Sequence, residues 1–190
     1  VPLLEDGGRW TFPAQSLEDA IGERARLFLL CNPHNPVGRV YDRSELEAQA
    51  DVCLRRNLVI CSDEIHCGLV LDEDKRHVPF ASLSPEIAAR TITLMAASKT
   101  FNLPGLGSAF AIIPDRTLRA RVNAVMKGIV HRPMTVGLWA TLAAYRDGEP
   151  WRRALVARLR DNRDLVAGRV ATWPGLRMAP VEGTYLAWLD

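Results

Sequence analysis

A lysine that follows an apolar run is the first residue whose type and position suggest chemistry. The run Thr91–Ala97 begins with β-branched residues and is typical of a buried strand, and Lys99 follows it closely. Only three of the 24 basic residues are lysines, so an amine stands where the chain usually has a guanidinium. An amine can lose its proton and form a Schiff base, whereas a guanidinium cannot. The alternative is a lysine whose stem covers apolar surface while its amine reaches water.

Two further apolar runs also end in polar residues. One leads into a loop with two prolines and a glycine that contains Asn35, and the other leads directly to Asp63 and His66. Each residue has a structural alternative: Asn35 as a turn residue, Asp63 as the cap of a turn, and His66 as a hydrogen-bonded core histidine. All three at successive strand ends, together with Lys99, indicate a shared site, because ligands of open α/β sheets bind outside the carboxyl ends of the strands.

The order of the elements predicts the sheet that would hold this site. Strand, helix, strand, helix, strand is the pattern of an α/β protein with a parallel sheet and right-handed crossovers. The strand-like runs cover 25–31, 58–61 and 91–97, with helical patterns at 44–56 and after Ser84. A further strand-like run at 108–114 follows Lys99 too closely for a helical crossover, so an antiparallel neighbour is expected. The remaining helices are predicted at 115–127, 133–146 and 150–172.

Composition excludes several classes of function. The chain has 190 residues, 48% hydrophobic content, 24% charged residues and a net charge of +2, which gives no reason to expect nucleic-acid or membrane partners. The four cysteines form no CxxC pair, and we expect free thiols in a cytoplasmic protein: Cys31, Cys53, Cys61 and Cys67. Their spacing with Asp63 and His66 matches no standard zinc pattern, so no metal site is predicted.

The strand-end residues suit an aldehyde cofactor that contains a pyridine ring. Lys99 is the candidate for holding the aldehyde as an imine. Asp63 is the candidate carboxylate beside a protonated ring nitrogen. The Asn35 amide and an imidazole N–H of His66 are candidate donors to the phenolate oxygen of the ring.

Three motifs carry a resemblance to a known family. They are Asn32-Pro-His-Asn35-Pro-Val-Gly, Ser62-Asp63-Glu-Ile-His66 and Ser98-Lys99-Thr-Phe-Asn-Leu-Pro-Gly. In order and spacing they resemble the class I/II aminotransferase-like enzymes of fold type I, which depend on pyridoxal 5'-phosphate (PLP). A tyrosine is usual in the family where this chain has His66, and this difference resembles the cystathionine β-lyase, or C–S lyase, branch.

The resemblance implies a role for each motif residue. Lys99 becomes the Schiff-base lysine, Asp63 the partner of the pyridine nitrogen, and Asn35 and His66 the partners of the ring oxygen. Ser98 becomes a phosphate-side contact. The chain departs from the family at Gly107, where many members carry an arginine that binds the phosphate, and Gly68 and Pro104 are also unusual for the branch.

The resemblance also implies architecture and activity. It predicts a three-layer α/β/α large domain, partial, in residues 1–150, and a linker helix with the start of a small α+β domain in residues 151–190. The chain begins without Met and ends within a strand-like run, so both ends of the parent protein are expected to be missing.

The implied reaction is α,β-elimination of cystathionine or other cysteine S-conjugates to a thiol, pyruvate and ammonia. Aminotransfer and a truncated, non-catalytic role are the alternatives. A homodimer is the implied partner, with residues 128–133 contributing to its interface.

Overall fold

The computed structural model describes all 190 residues and consists of a four-stranded sheet, a small hairpin and seven α-helices. Two strands form the hairpin: β1 (Leu4–Asp6) and β2 (Arg9–Thr11). Four strands form the main sheet: β3 (Leu27–Cys31), β4 (Val59–Asp63), β5 (Thr91–Met95) and β6 (Phe110–Ile112). The helices are α1 (Ala14–Ala20), α2 (Arg43–Arg55), α3 (Pro85–Ala88), α4 (Ala97–Thr100), α5 (Arg116–Met126), α6 (Thr135–Asp147) and α7 (Glu149–Val170).

The main sheet confirms the predicted α/β class and its largely parallel order. Its strands follow the order β3-β4-β5-β6, with the first three parallel and β6 antiparallel to β5. The antiparallel edge follows from the short connection between β5 and β6, which leaves no room for a crossover helix. Three carboxyl ends therefore meet at one edge of the sheet.

One face of the sheet carries the main core. Phe28 and Leu30 of β3 and Ile60 of β4 pack with buried residues of α2 in a cluster of 12 apolar side chains. Successive residues of a strand point to opposite faces, so Leu27 and Leu29 lie on the other face. There Leu29 remains 70% exposed.

One helix start and one strand end differ from the sequence prediction. The helix predicted from Ser44 begins at Arg43, because Asp42 and Glu45 form a reciprocal capping box in which the Asp42 N–H donates to Glu45 Oε2 at 2.7 Å. The strand predicted to reach Ala97 ends at Met95, and the next residues form the single helical turn α4. Lys99 therefore lies on a helical turn rather than directly at a strand end.

The C-terminal part consists of α7 and an irregular segment that returns to the sheet edge. Val156 of α7 packs against Leu71 and Val181 in a second, small core. The strand-like run expected at the end of the chain does not form a strand, and this part of the chain makes only isolated bridges, Val70 with Gly183 and Met178 with Leu189. No helix is both long and apolar enough to cross a membrane.

Candidate active site

The sheet register places Asp63 level with the carboxyl ends of both neighbouring strands. Asp63, the last residue of β4, lies opposite Cys31 on one side and Leu94 on the other. The ladder extends one residue further on each side, since the Asn32 N–H donates to the Asp63 carbonyl at 3.0 Å and the Glu64 N–H donates to the Leu94 carbonyl at 3.0 Å. Asp63 thus lies at the end of the middle strand, between the strand that leads to the Asn35 loop and the strand that leads to the Lys99 helix.

A close approach at Gly68 places the turn after β4 against α4. A Cβ atom at Gly68 would lie 2.6 Å from Cγ2 and 2.7 Å from Oγ1 of Thr100, the residue next to Lys99. Such distances are far below van der Waals contact, so only glycine fits here without displacing Thr100. Arg152 of α7 also donates to the Gly68 carbonyl at 3.0 Å. The packing of Gly68 against Thr100 holds the segment that carries His66 beside the helix that carries Lys99.

Lys99 and Ser98 are half-buried on α4. Lys75 pairs with Asp42 at 2.7 Å, whereas Lys99 has no carboxylate partner in any salt bridge of the structure. The Lys99 amine is therefore available for chemistry at the sheet edge.

His66 is a buried residue of the site whose ring makes no hydrogen bond. It is only 1% exposed, and neither ring nitrogen has a hydrogen-bond partner. Burial and, second, the positive charge of Lys99 lower the pKa of His66, while the carboxylate of Asp63 opposes the shift. The imidazole is therefore neutral at pH 7, with one N–H donor and one acceptor nitrogen. A buried polar group left without a partner costs about 1–3 kcal/mol.

Asp63 is half-buried and keeps most of its acceptor capacity. Its Oδ1 accepts a hydrogen bond from the backbone N–H of Ile65 at 3.2 Å, which fixes the turn toward His66. Cys31 and Cys61 lie on the same face of the sheet as Asp63. Burial chiefly raises the pKa of both thiols, and the charge of Asp63 adds to the effect. The Asp63 carboxylate therefore lies beside two neutral thiols and has no cationic partner.

The loop after β3 contributes two asparagines, of which sequence reasoning identified one. Asn35 is exposed on the loop, and its backbone N–H contacts the Cys31 sulfur. Asn32 is buried; its Oδ1 accepts from the Tyr41 N–H at 3.1 Å, and its Nδ2 has no partner. The repeated Asn-Pro dipeptide was the available signal for Asn32. Its free amide is a second buried donor at the sheet edge.

Sequence reasoning also missed the segment 181–184, which runs between the two loops of the site. The N–H groups of Glu182 and Gly183 donate to the Gly38 carbonyl at 2.8 and 2.9 Å, and the Thr184 N–H donates to the Leu69 carbonyl at 2.8 Å. The same segment thereby holds the Asn35 loop on one side and the His66 turn on the other. Only a strand-like pattern was visible for Thr184 onward, so no signal in the sequence assigned it to the site.

The donor set fits a pyridoxal ring. An aldehyde requires an amine, a protonated ring nitrogen requires a carboxylate, and a phenolate oxygen requires N–H donors. The site offers all three kinds of group. The buried nitrogens of His66 and Asn32, which have no protein partner, are the observation that supports the fit. Gly107 has no side chain to offer a phosphate, and Ser98 is the remaining candidate on this side.

Comparisons with known proteins identify relatives over the whole chain. The chain is 38% identical over 192 residues to the cystathionine β-lyase PatB of Bacillus subtilis, with all of this chain and 49% of PatB covered. The crystal structure of OvoB superimposes with a TM-score of 0.96 at 48% identity, over 99% of this chain and 50% of OvoB. Cystalysin of Treponema denticola, whose structure contains a pyridoxal 5'-phosphate cofactor, gives a TM-score of 0.92 at 33% identity, over 99% of this chain and 48% of cystalysin.

The chain spans about half the length of these relatives. Residues 3–190, nearly the whole chain, match the aminotransferase class I and II family. The chain therefore belongs to the aminotransferase class I and II family.

Proposed function

We propose that the protein is a PLP-dependent C–S lyase that performs α,β-elimination on cystathionine or other cysteine S-conjugates. The observation that carries the proposal is His66: a buried, neutral imidazole with two unpartnered nitrogens, within the electrostatic reach of both Lys99 and Asp63. The similarity to the cystathionine β-lyase PatB supports the lyase reaction.

Each residue has a defined task in this proposal. When bound, PLP supplies an aldehyde for the substrate amine and an aromatic ring that accepts electrons from the α carbon. Asp63 holds the proton of the ring nitrogen, and Asn35 and His66 donate hydrogen bonds to the ring oxygen. Lys99 holds the cofactor in the resting enzyme and, once its amine is free, takes the proton from the α carbon of the substrate. Ser98 contacts the phosphate.

The net reaction balances without an external oxidant or reductant. The C–S bond of the conjugate breaks, the sulfur leaves as a thiol with one proton, and the amino acid skeleton takes up one water to give pyruvate and ammonia. The proton that Lys99 removes from the α carbon is available for the leaving sulfur, so a single amine serves both steps. The position of the Lys99 amine, rather than a second acidic side chain, then allows the proton to reach the leaving sulfur.

The test uses the protein expressed from its complete reading frame. Incubated with PLP, it should retain a visible absorption band after gel filtration and should release pyruvate from cystathionine. Lys99→Ala should lose both, whereas the exposed Lys127→Ala should keep both. A Lys99→Ala variant that retained the band and the pyruvate release would contradict the assignment of Lys99.

Aminotransfer is the second candidate, because the family that the chain matches is that of the class I and II aminotransferases. Formation of glutamate from 2-oxoglutarate and an amino acid donor, without net ammonia, would favour it over elimination. A non-catalytic protein is the third candidate. Failure of the expressed protein to retain PLP at all would favour that reading over both reactions.

The same proposal includes the domain organisation and the oligomeric state. Residues 1–150 would belong to a PLP-binding large domain, and residues 151–190 would comprise the linker helix and the start of a small domain. We expect a homodimer, because large apolar side chains are exposed along α5, residues 128–133 and α6. The four cysteines are free, which supports a reducing, cytoplasmic setting.

A further inference from the structure

Tyr185 lies beside His66, and the proposed function gives Tyr185 no role. Its ring meets the His66 ring edge to face, with centroids 5.6 Å apart and an angle of 66° between the planes. The ring is 44% exposed, and its hydroxyl makes no hydrogen bond within the chain. One aromatic surface and one hydroxyl beside the buried imidazole are therefore available to a bound molecule.

The residues before Tyr185 hold it firmly in place. Glu182 is a buried carboxylate that accepts from Arg39 Nη1 and from the Val40 N–H, both at 2.7 Å, and from Arg9 Nε at 2.9 Å. These donors come from the hairpin and from the loop after β3. The anchor therefore fixes the chain immediately before Tyr185 to the same loop that carries Asn35.

Thr184 turns the chain toward the site. It is fully buried and has φ of 69°, a left-handed conformation that β-branched residues rarely adopt. Its N–H is held by the Leu69 carbonyl at 2.8 Å, and its Oγ1 accepts from the Leu186 N–H at 3.3 Å. Strained residues of this kind persist where the surroundings over-determine them and cluster at functional sites. Here the strained residue directs the next side chain onto His66.

We propose that Tyr185 is a specificity-determining residue that contacts the group carried on the substrate sulfur, and that it favours conjugates with an aromatic group there. This inference rests on the proposed lyase function. A cysteine conjugate presents an amino group, a carboxylate and a sulfur substituent. In the proposed function the amino group reacts at the Lys99 site, and a carboxylate binds to a cation better than to a neutral phenol. The flat, half-exposed ring of Tyr185 suits the third part, because aromatic pairs gain energy beyond their buried area.

The test compares two substrates across three variants of the expressed, PLP-loaded protein. Pyruvate release is measured from S-benzyl-L-cysteine and from S-methyl-L-cysteine. For Tyr185→Ala we expect kcat/KM to fall about 10-fold for the benzyl substrate, chiefly through KM, and less than about 3-fold for the methyl substrate. Tyr185→Phe keeps the ring and should stay within about 2-fold of wild type for both substrates.

Trp188→Ala is the matched control. Trp188 is 45% exposed on the same segment, but it lines a different cavity together with Trp10 and Val170. It should leave the ratio of the two kcat/KM values unchanged. Equal losses for both substrates in Tyr185→Ala, or no loss for either, would overturn the proposal.

A binding measurement separates this proposal from the lyase assignment. L-phenylalanine and L-alanine carry the same amino acid core with and without an aromatic group, and their binding is followed by the change in the visible band of the bound cofactor. Tyr185→Ala should weaken phenylalanine binding about 10-fold and leave alanine binding within about 2-fold. If wild type releases no pyruvate, the lyase function fails while this ratio still decides the role of Tyr185. An unchanged ratio overturns that role whatever the reaction.

Discussion

Gly68 shows how a single missing methyl group places two functional segments in contact. Its Cα faces the side chain of Thr100 so closely that the turn after His66 and the helix of Lys99 share one surface. The sequence marked Gly68 only as unusual for its branch. The packing explains the glycine, because the contact of Gly68 with Thr100 sets how closely the His66 turn approaches the Lys99 helix.

Gly68→Ala should therefore damage both the fold and the site. The added Cβ would overlap Thr100, and overpacking of this kind costs about 1–3 kcal/mol of the free energy of unfolding. We expect a lower Tm in thermal unfolding and faster loss of PLP on gel filtration. Gly105→Ala is the control, because a Cβ there meets no atom within 4 Å and should change the free energy of unfolding by less than about 0.5 kcal/mol. An unchanged Tm in Gly68→Ala would show that the two segments can separate at no cost.

His66 should make stability depend on pH in a defined direction. Burial lowers its pKa, so the unfolded chain takes up a proton at a higher pH than the folded chain does. The stabilising contribution is complete above the ordinary value near 6.5 and is lost as the pH falls through the lowered value in the folded state. Without cofactor, Tm should therefore fall between about pH 7 and pH 5.

His66→Gln should flatten this dependence without removing it, because burial also lowers the pKa of His34. The measurement is Tm of the cofactor-free protein across the pH range. A profile for His66→Gln that is as steep as wild type would mean that His66 titrates in the folded protein as it does in the unfolded chain.

At the scale of elements, the segment 181–184 joins parts of the chain that are far apart in sequence. Glu182 accepts from Arg9, Arg39 and Val40, and Arg39 also donates to Glu45 at 2.5 Å. Arg39 is fully buried, and these carboxylates compensate its positive charge. Removal of one member of a buried pair leaves an uncompensated charge, which is costlier than losing a surface pair.

Glu182→Gln should accordingly destabilise the protein by on the order of 3 kcal/mol. It should also lower the preference for S-benzyl over S-methyl cysteine, because the anchor before Tyr185 is weakened. Glu47→Gln breaks an exposed pair with Arg43 and should cost less than about 1 kcal/mol. Urea unfolding of the two variants and of wild type gives the comparison. A Glu182→Gln variant no less stable than Glu47→Gln would rule out the buried anchor.

The contrast between local and long-range features explains what the sequence could predict. Periodicity, proline positions and connection lengths predicted β3, β4 and β5, the antiparallel β6, and the placement of Asn35, Asp63 and Lys99 at or after the ends of three strands. These depend on neighbours along the chain. The contact of His66 with Tyr185, and of Arg39 with Glu182, joins residues more than a hundred positions apart. No local pattern encodes such pairs, and only packing in three dimensions reveals them.

The whole molecule presents more apolar surface than its net charge and composition suggest. Ile129, 73% exposed, is one of a series of large apolar side chains on α5, on the connection that follows it and on α6: Val125, Met126, Ile129, Val130, Met134, Val136, Leu138, Trp139 and Leu142. Large amounts of exposed apolar surface mark interfaces between proteins. A closed dimer would use the same surface on both copies.

Ile129→Glu should therefore convert the proposed dimer to a monomer. A carboxylate at the centre of an apolar interface would be buried without a partner in both copies, and such burial is strongly unfavourable. Light scattering after size exclusion should show the mass of the expressed protein reduced by half, with the far-UV circular dichroism unchanged. Arg43→Glu introduces the same group at an exposed position of α2, outside the stripe, and should leave the mass unaltered. If Ile129→Glu keeps the dimer mass while its fold is intact, the copies associate through another surface and this apolar stripe has a different occupant.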